Sequence, residues 1–284
     1  MYPKASKLSL YPSIGLITLV FSTIGWHHPA LKAQTADAIP TRYPLPEALD
    51  DLTTDETVEV IPPCLTEICI NNLVESRAGI VFSPQYHDPT VGVVFYPGGK
   101  VDPRAYAPLV NDLAANGVLS VIVPMPDNLA FLGGDRAQDV MAAYPHIQEW
   151  YLAGHSLGGA IAVRYAIDRP QDLAGLLLLG VYVNADTDLS HIDIPVTSIY
   201  GLQDGVVTPD EVEHGKPFLP TDTQYIPLAG ANHAQFGTYG AQAGDLEATI
   251  SPQQQQALTV TAMLCGMGLA EAQTCEAMGF DPEF

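Results

Sequence analysis

The chain is poor in positive charge. Lysine and arginine together number 11, against 32 aspartates and glutamates, which leaves a formal net charge of −21 over 284 residues. A surface this acidic repels polyphosphate backbones and anionic headgroups, so neither nucleic acid nor an anionic membrane surface is expected as a partner. Long apolar runs are also lacking. The most apolar stretch near the start, residues 14–21, follows Pro12 and falls short of the ~20 residues that a spanning helix needs. Cysteines are few, at four, and no Cys/His spacing suggests a metal site, so neither a metal nor an organic cofactor is expected. There is no internal repeat, and the short glutamine run Gln253–Gln256 reads as a helix surface rather than low complexity.

The N-terminal residues have the order of an export signal. Lys4 and Lys7 precede the apolar run 14–21, and Leu31-Lys32-Ala33 and Ala36-Asp37-Ala38 offer small-residue cleavage sites. Residues 1–33 are therefore expected to be a signal peptide or, alternatively, an uncleaved anchor. Residues 34–63, rich in proline and acid, are expected to be an extended arm, and 64–284 the folded domain. The expected location is secreted or periplasmic. Cys64, Cys69, Cys265 and Cys275 are even in number, which in an exported chain favours two disulfides with three possible connectivities; local pairing, Cys64–Cys69 and Cys265–Cys275, is the expectation.

With 47% hydrophobic residues the chain can bury one large core, and a domain of this size is usually single in α/β proteins. Apolar runs of strand length are expected at 91–96, 118–123, 150–154, 174–181, 195–200 and 223–228. They alternate with helical patterns near 104–116, 135–145, 157–168, 209–215 and 251–265. Such alternation builds a mostly parallel sheet with helices on both faces. Earlier, 67–75 and 77–84 read as two adjacent, antiparallel strands.

Within this pattern Gly154-His155-Ser156-Leu157-Gly158 reads G-x-S-x-G, with an apolar run before it and a small-residue helix after it. A serine at a tight strand-to-helix turn projects its hydroxyl above the sheet edge, where the first helix amides point at whatever binds. Gly-Ser-Gly clusters are common in turns, but this one has the flanking elements that make Ser156 a candidate nucleophile. A serine hydroxyl needs a base, and the base needs an orienting acid. Asp204 follows the strand at 195–200, and His233 follows the strand at 223–228 in the glycine-flanked loop Ala229–His233. Asp204-Gly205 is also a strong turn dipeptide, and Asp186 or Asp188 after the preceding strand competes for the acid role. His146, His155, His191 and His214 compete for the base, but none follows a late strand in a glycine-flanked loop.

Ser, then Asp, then His is the chain order of the α/β-hydrolase triad. On FYPGGKVDPRAY, GHSLGGA, YGLQDGVV and GANHAQFGTYG, the chain resembles the α/β-hydrolase superfamily over roughly residues 77–265. Within it the chain looks like the compact, lidless enzymes related to dienelactone hydrolases. Those use a cysteine nucleophile where this chain has Ser156, which speaks against that particular reaction. The resemblance implies an oxyanion hole from the Leu157 amide and an amide of the loop after the strand 91–96, from Gly99 or Lys100. Many members carry His-Gly in that loop; this chain has Tyr96-Pro97-Gly98-Gly99. Residues 181–195 leave no room for a lid or cap, so an open site is expected, with Phe131, Phe236 and Tyr239 as candidate pocket residues. The expected activity is serine-dependent cleavage of small carboxylic esters through an acyl-enzyme. A thioesterase or amidase would use the same triad, and a non-catalytic binding protein is the alternative of a different class.

Overall fold

A computed structural model describes residues 40–62 and 79–281. Among these residues eight strands form one sheet: β1 Val58–Ile61, β2 Ile80–Pro84, β3 Val91–Tyr96, β4 Leu119–Ile122, β5 Glu149–His155, β6 Gly175–Leu179, β7 Val196–Gly201 and β8 Gln224–Leu228, in the spatial order β1-β2-β4-β3-β5-β6-β7-β8. β1 pairs antiparallel with β2, β2 pairs antiparallel with β4, and every later pairing is parallel. The helices are α1 Pro46–Asp50, α2 Ala107–Ala115, α3 Arg136–Ala143, α4 Leu157–Asp168, α5 Pro209–Gly215, α6 Pro252–Gly266 and α7 Ala272–Met278. This is the mostly parallel α/β architecture expected from the alternation of strands and helices.

The central strands are buried on both faces, and their side chains alternate between two cores as the two-residue strand period requires. Val93, Phe95, Leu177 and Leu179 face a core shared with Leu109 and Leu113 of α2 and Val260 and Met263 of α6. Val94, Tyr96, Leu176 and Leu178 face the other, shared with Val140 of α3 and Ile161 and Val163 of α4. Two helices start on signals present in the sequence. At α5, Thr208 and Glu211 satisfy each other's backbone amides in a capping box with Pro209 in the first turn, and at α6 Ser251 and Gln254 do the same. Residues 180–195, between β6 and β7, carry only the short 3₁₀ turn Ala185–Thr187, so no cap domain is inserted there.

The expected arm at 34–63 is corrected over its described part. Residues from Pro40 onward belong to the same compact unit as the sheet. They supply α1 and the edge strand β1, whose Val58 and Val60 are buried while Glu59 is exposed. That alternation is the ordinary signature of a half-buried strand, masked in the sequence by the surrounding acids and prolines. Among the described residues the antiparallel neighbours of β2 are β1 and β4; the expected strand at 67–75 lies outside the described residues. So do the expected signal segment and Cys64 and Cys69. The other expected pair is formed: Cys265 and Cys275 are disulfide-bonded, tying the end of α6 to α7.

Candidate active site

The turn between β5 and α4 is a single residue wide. Ser156 sits at φ 52°, ψ −121°, a region that costs a non-glycine residue roughly 1–3 kcal/mol unless its surroundings impose it. The surroundings do. The Ser156 amide donates to Leu179 of β6 at 3.0 Å, and its carbonyl accepts from Ala160 at 3.0 Å. The helix passes so close to the sheet that a Cβ on Gly158 would lie 2.1 Å from the Tyr96 carbonyl oxygen, and one on Gly154 would lie 2.5 Å from the Gly159 nitrogen. The glycines of the motif are thus required by contact, and Ser156 is left partly exposed at the carboxyl edge of the sheet.

His233 and Asp204 meet there as a buried pair. His233 Nδ1 lies 2.8 Å from Asp204 Oδ2, and both side chains are fully buried. The other carboxylate oxygen of Asp204 accepts from the amides of Val206 at 2.8 Å and Val207 at 2.7 Å, which fixes the carboxylate plane. Gly180, at φ 55°, passes beside the pair; a Cβ there would stand 3.1 Å from His233 Nδ1 and 3.2 Å from Asp204 Oδ2. His233 Nε2 is buried and has no hydrogen-bond partner among the described residues. An orphaned imidazole nitrogen is costly unless function uses it. The competing acids do not reach His233: Asp186 is exposed, and Asp188 accepts from the Ser190 amide in its own turn.

The oxyanion candidates separate by where their amides point. Lys100 is corrected: its N–H donates to the Asn128 carbonyl at 2.7 Å, so it is spent on holding the loop. The Gly98 amide donates to the Tyr106 hydroxyl at 3.0 Å. The Gly99 amide has no partner among the described residues, and Leu157, the first residue of α4, has the orphan amide that every helix start leaves. The two residues are in contact, since a Cβ on Gly99 would meet the Leu157 side chain at 2.9 Å. Arg42 braces the same loop, its amide donating to the Lys100 carbonyl at 2.7 Å and its guanidinium to the Gly99 carbonyl at 3.3 Å.

His155, a rival for the base in the sequence, has another position. Its Nδ1 lies 2.8 Å from the Tyr106 hydroxyl. That hydroxyl accepts from the Gly98 amide, so its own proton goes to Nδ1, and the neutral ring carries its proton on Nε2. Burial, and after it the neighbouring His233 ring at 4.5 Å between centroids, pushes the His155 pKa well below the usual histidine range. In the unfolded chain His155 takes up a proton below about pH 6.5 that the folded protein refuses, so its contribution to stability is present above that value and is lost on acidification. His155→Asn, which keeps an acceptor for Tyr106, is expected to reduce the pH slope of the unfolding free energy between about pH 7 and 5 by up to about 1.4 kcal/mol per pH unit. Denaturant melts across that range measure it; an unchanged slope would show that His155 titrates normally in the fold.

Two of the three expected pocket aromatics are corrected. Phe236 is fully buried, with its ring centroid 5.4 Å from that of His155, and Tyr239 is buried against Tyr106. Both are core, the commoner fate of aromatics of this kind. Phe131 is half exposed in the short 3₁₀ turn Ala130–Leu132. A cavity of about 780 Å³ opens beside the His233 loop against Leu45, Asn232, Gln235, Thr238 and Asp245, and none of the three aromatics lines it. Sequence reasoning also missed Tyr106 and Arg42. Tyr106 ends the quoted motif FYPGGKVDPRAY, but nothing in spacing alone brings its hydroxyl to Gly98.

A family model, that of the alpha/beta hydrolase family, matches residues 92–257, more than half of the chain and every element that carries the site. The chain belongs to the α/β hydrolase family. No curated protein matches it significantly in sequence. Among solved structures, TT1662 from Thermus thermophilus is 14% identical with a TM-score of 0.50, over 74% of this chain and 98% of that one, and it shares the fold. MGS-MChE2, an alpha/beta hydrolase enzyme from a lagoon-sediment metagenome, is 16% identical with a TM-score of 0.46, over 55% of this chain and 88% of that one. A structure from work on LipS and LipT, two metagenome-derived lipolytic enzymes, is 16% identical with a TM-score of 0.42, over 51% and 86%.

Proposed function

We propose that this α/β hydrolase is a serine esterase for small carboxylic esters. The observation that carries the reading is the buried Asp204–His233 pair, with His233 Nε2 left without a partner at the same sheet edge as the strained, partly exposed Ser156. Ser156 Oγ attacks the ester carbonyl carbon as His233 Nε2 takes its proton. Asp204 holds the imidazole with Nδ1–H toward itself and stabilises the imidazolium. The carbonyl oxygen becomes an oxyanion held by the amides of Leu157 and Gly99, donors already in place before the charge develops. Collapse of the tetrahedral intermediate breaks the bond to the alcohol, which leaves with the proton from His233. Water, deprotonated by the same nitrogen, then cleaves the acyl-enzyme and restores Ser156. No step requires a metal or organic cofactor.

The short β6–β7 connection supports an open site without a lid. The Cys265–Cys275 disulfide supports maturation in an oxidising compartment, in line with secretion or a periplasmic location. A fluorophosphonate probe should label the protein at Ser156. Water-soluble short-chain esters should be turned over below their solubility limit, with no jump in rate when an emulsion forms. Mass spectrometry of protein from the exporting cell reads both the labelled peptide and a mature start near Gln34 or Ile39. Absence of labelling would reject the serine mechanism, activity confined to the emulsion would reject the open site, and a full-length chain inside the cell would reject export.

A further inference from the structure

The Ser156–Asp204–His233 reading needs two separate loops to hold one hydrogen bond. Asp204 lies in the loop after β7 and His233 in the loop after β8; backbone bonds past the strand ends, Leu202 N–H to the Leu228 carbonyl at 3.0 Å and Gln203 N–H to the Ala231 carbonyl at 2.8 Å, stop short of both residues. A third loop joins the two loops at Asp204 and His233 themselves. The carboxylate of Asp245 accepts four backbone N–H groups. Its Oδ1 accepts from Gly205 at 3.0 Å, from His233 at 3.2 Å and from Leu246 at 2.9 Å, and its Oδ2 accepts from Ala234 at 2.8 Å. One of these donors is the residue next to the acid; another is the base itself. The approach is close: a Cβ on Gly205 would lie 2.6 Å from the Gly244 carbonyl oxygen and 2.9 Å from the Leu246 nitrogen. On the other side Asn232 exchanges hydrogen bonds with the buried Gln255 of α6, at 3.0 and 2.7 Å, and its own amide group donates to the Leu246 carbonyl at 2.8 Å.

We propose that Asp245 is a positioning residue, a carboxylate clamp that locks the acid loop to the base loop and thereby sets the His233 Nδ1–Asp204 Oδ2 distance. The physical reason for a carboxylate is its acceptor capacity. Two oxygens offer about four lone-pair sites, and charge-assisted bonds to amides are roughly twice as strong as neutral ones. A neutral amide in its place keeps one accepting oxygen and turns an NH₂ toward the Ala234 N–H. Asp245 touches no reacting atom, so its removal should weaken alignment and leave substrate binding alone.

The proposal rests on the triad reading, and the experiment separates the two. Asp245→Ala is expected to lower kcat by about 10- to 100-fold, the scale of a misplacement near 1 Å, with KM within about twofold of wild type. Asp245→Asn should recover part of the loss. In an Asp204→Asn background, Asp245→Ala should cost little more, because the distance it guards no longer controls the tautomer. Ser156→Ala, run alongside, tests the triad reading by itself: if it keeps wild-type turnover, that reading fails whatever Asp245 does. With Ser156→Ala inactive, wild-type kcat in Asp245→Ala would overturn the clamp, and so would a loss that adds in full to that of Asp204→Asn. Thermal unfolding of each variant checks the fold; if Asp245→Ala does not fold, the same cycle with Asp245→Asn decides, and additivity there overturns the proposal.

Discussion

Ser156→Ala and His233→Ala are each expected to lower kcat by roughly 10⁴- to 10⁶-fold with the fold retained, and the double variant to lose little more than either single. The shared magnitude follows from the proposed acyl-enzyme mechanism. Without the Ser156 hydroxyl there is no acyl-enzyme; without His233 Nε2 the hydroxyl keeps its proton and is too weak a nucleophile to react. Residual turnover above the uncatalysed rate should survive in both, because the proposed oxyanion donors, the Leu157 and Gly99 amides, are untouched by either substitution. Ser156→Ala also keeps the turn, since its strained dihedrals are imposed by the Leu179 and Ala160 hydrogen bonds, which are backbone bonds. Steady-state kinetics on a soluble ester, with circular dichroism to confirm the fold, measures this. Wild-type hydrolysis by Ser156→Ala would end the mechanism, and a double variant that loses the product of the two single effects would show that Ser156 and His233 do not act as one unit.

The parts of the site that the sequence made legible are those where one local pattern fixes both element and position. GHSLGGA is a strand end, a turn and a helix start within seven residues, and α4 runs over the expected 157–168. Asp204 and His233 each follow a well-marked apolar strand, so their place at the carboxyl edge follows from the topology of a parallel sheet. What stayed hidden is set by tertiary contacts between segments far apart in the chain. Lys100 and Gly99 are neighbours with equal claims on an oxyanion until the Asn128 carbonyl, in a loop after β4, takes one amide and leaves the other. Phe236 and Phe131 are equally apolar, and only packing puts the first in the core and the second half in solvent. Asp245 lies in a stretch without helical or strand periodicity, so no pattern marks it, yet its carboxylate reaches both the Asp204 loop and the His233 loop. The strand β1 was legible in principle, from its alternation, but its short length and acidic neighbours outweighed that signal.

Asp204→Asn should cost less than loss of either Ser156 or His233, about 10²- to 10⁴-fold in kcat, and the hydrogen bonds of Asp204 make the expected loss a tautomer effect. The amides of Val206 and Val207 both point at one oxygen of the Asp204 carboxylate. An asparagine there would keep its oxygen on those two donors and be forced to turn its NH₂ toward His233. The imidazole would then accept at Nδ1 and carry its proton on Nε2, the nitrogen that must be free to take the proton of Ser156. Ser156, His233 and the proposed oxyanion donors remain, so the variant should bind substrate with KM near wild type while kcat falls. Proton NMR gives an independent reading: the downfield Nδ1–H resonance of the His233–Asp204 bond should disappear in Asp204→Asn and persist in Ser156→Ala. Full activity in Asp204→Asn, together with inactivation by Asp186→Asn or Asp188→Asn, would move the acid role to the β6–β7 connection and leave the nucleophile and base where they are.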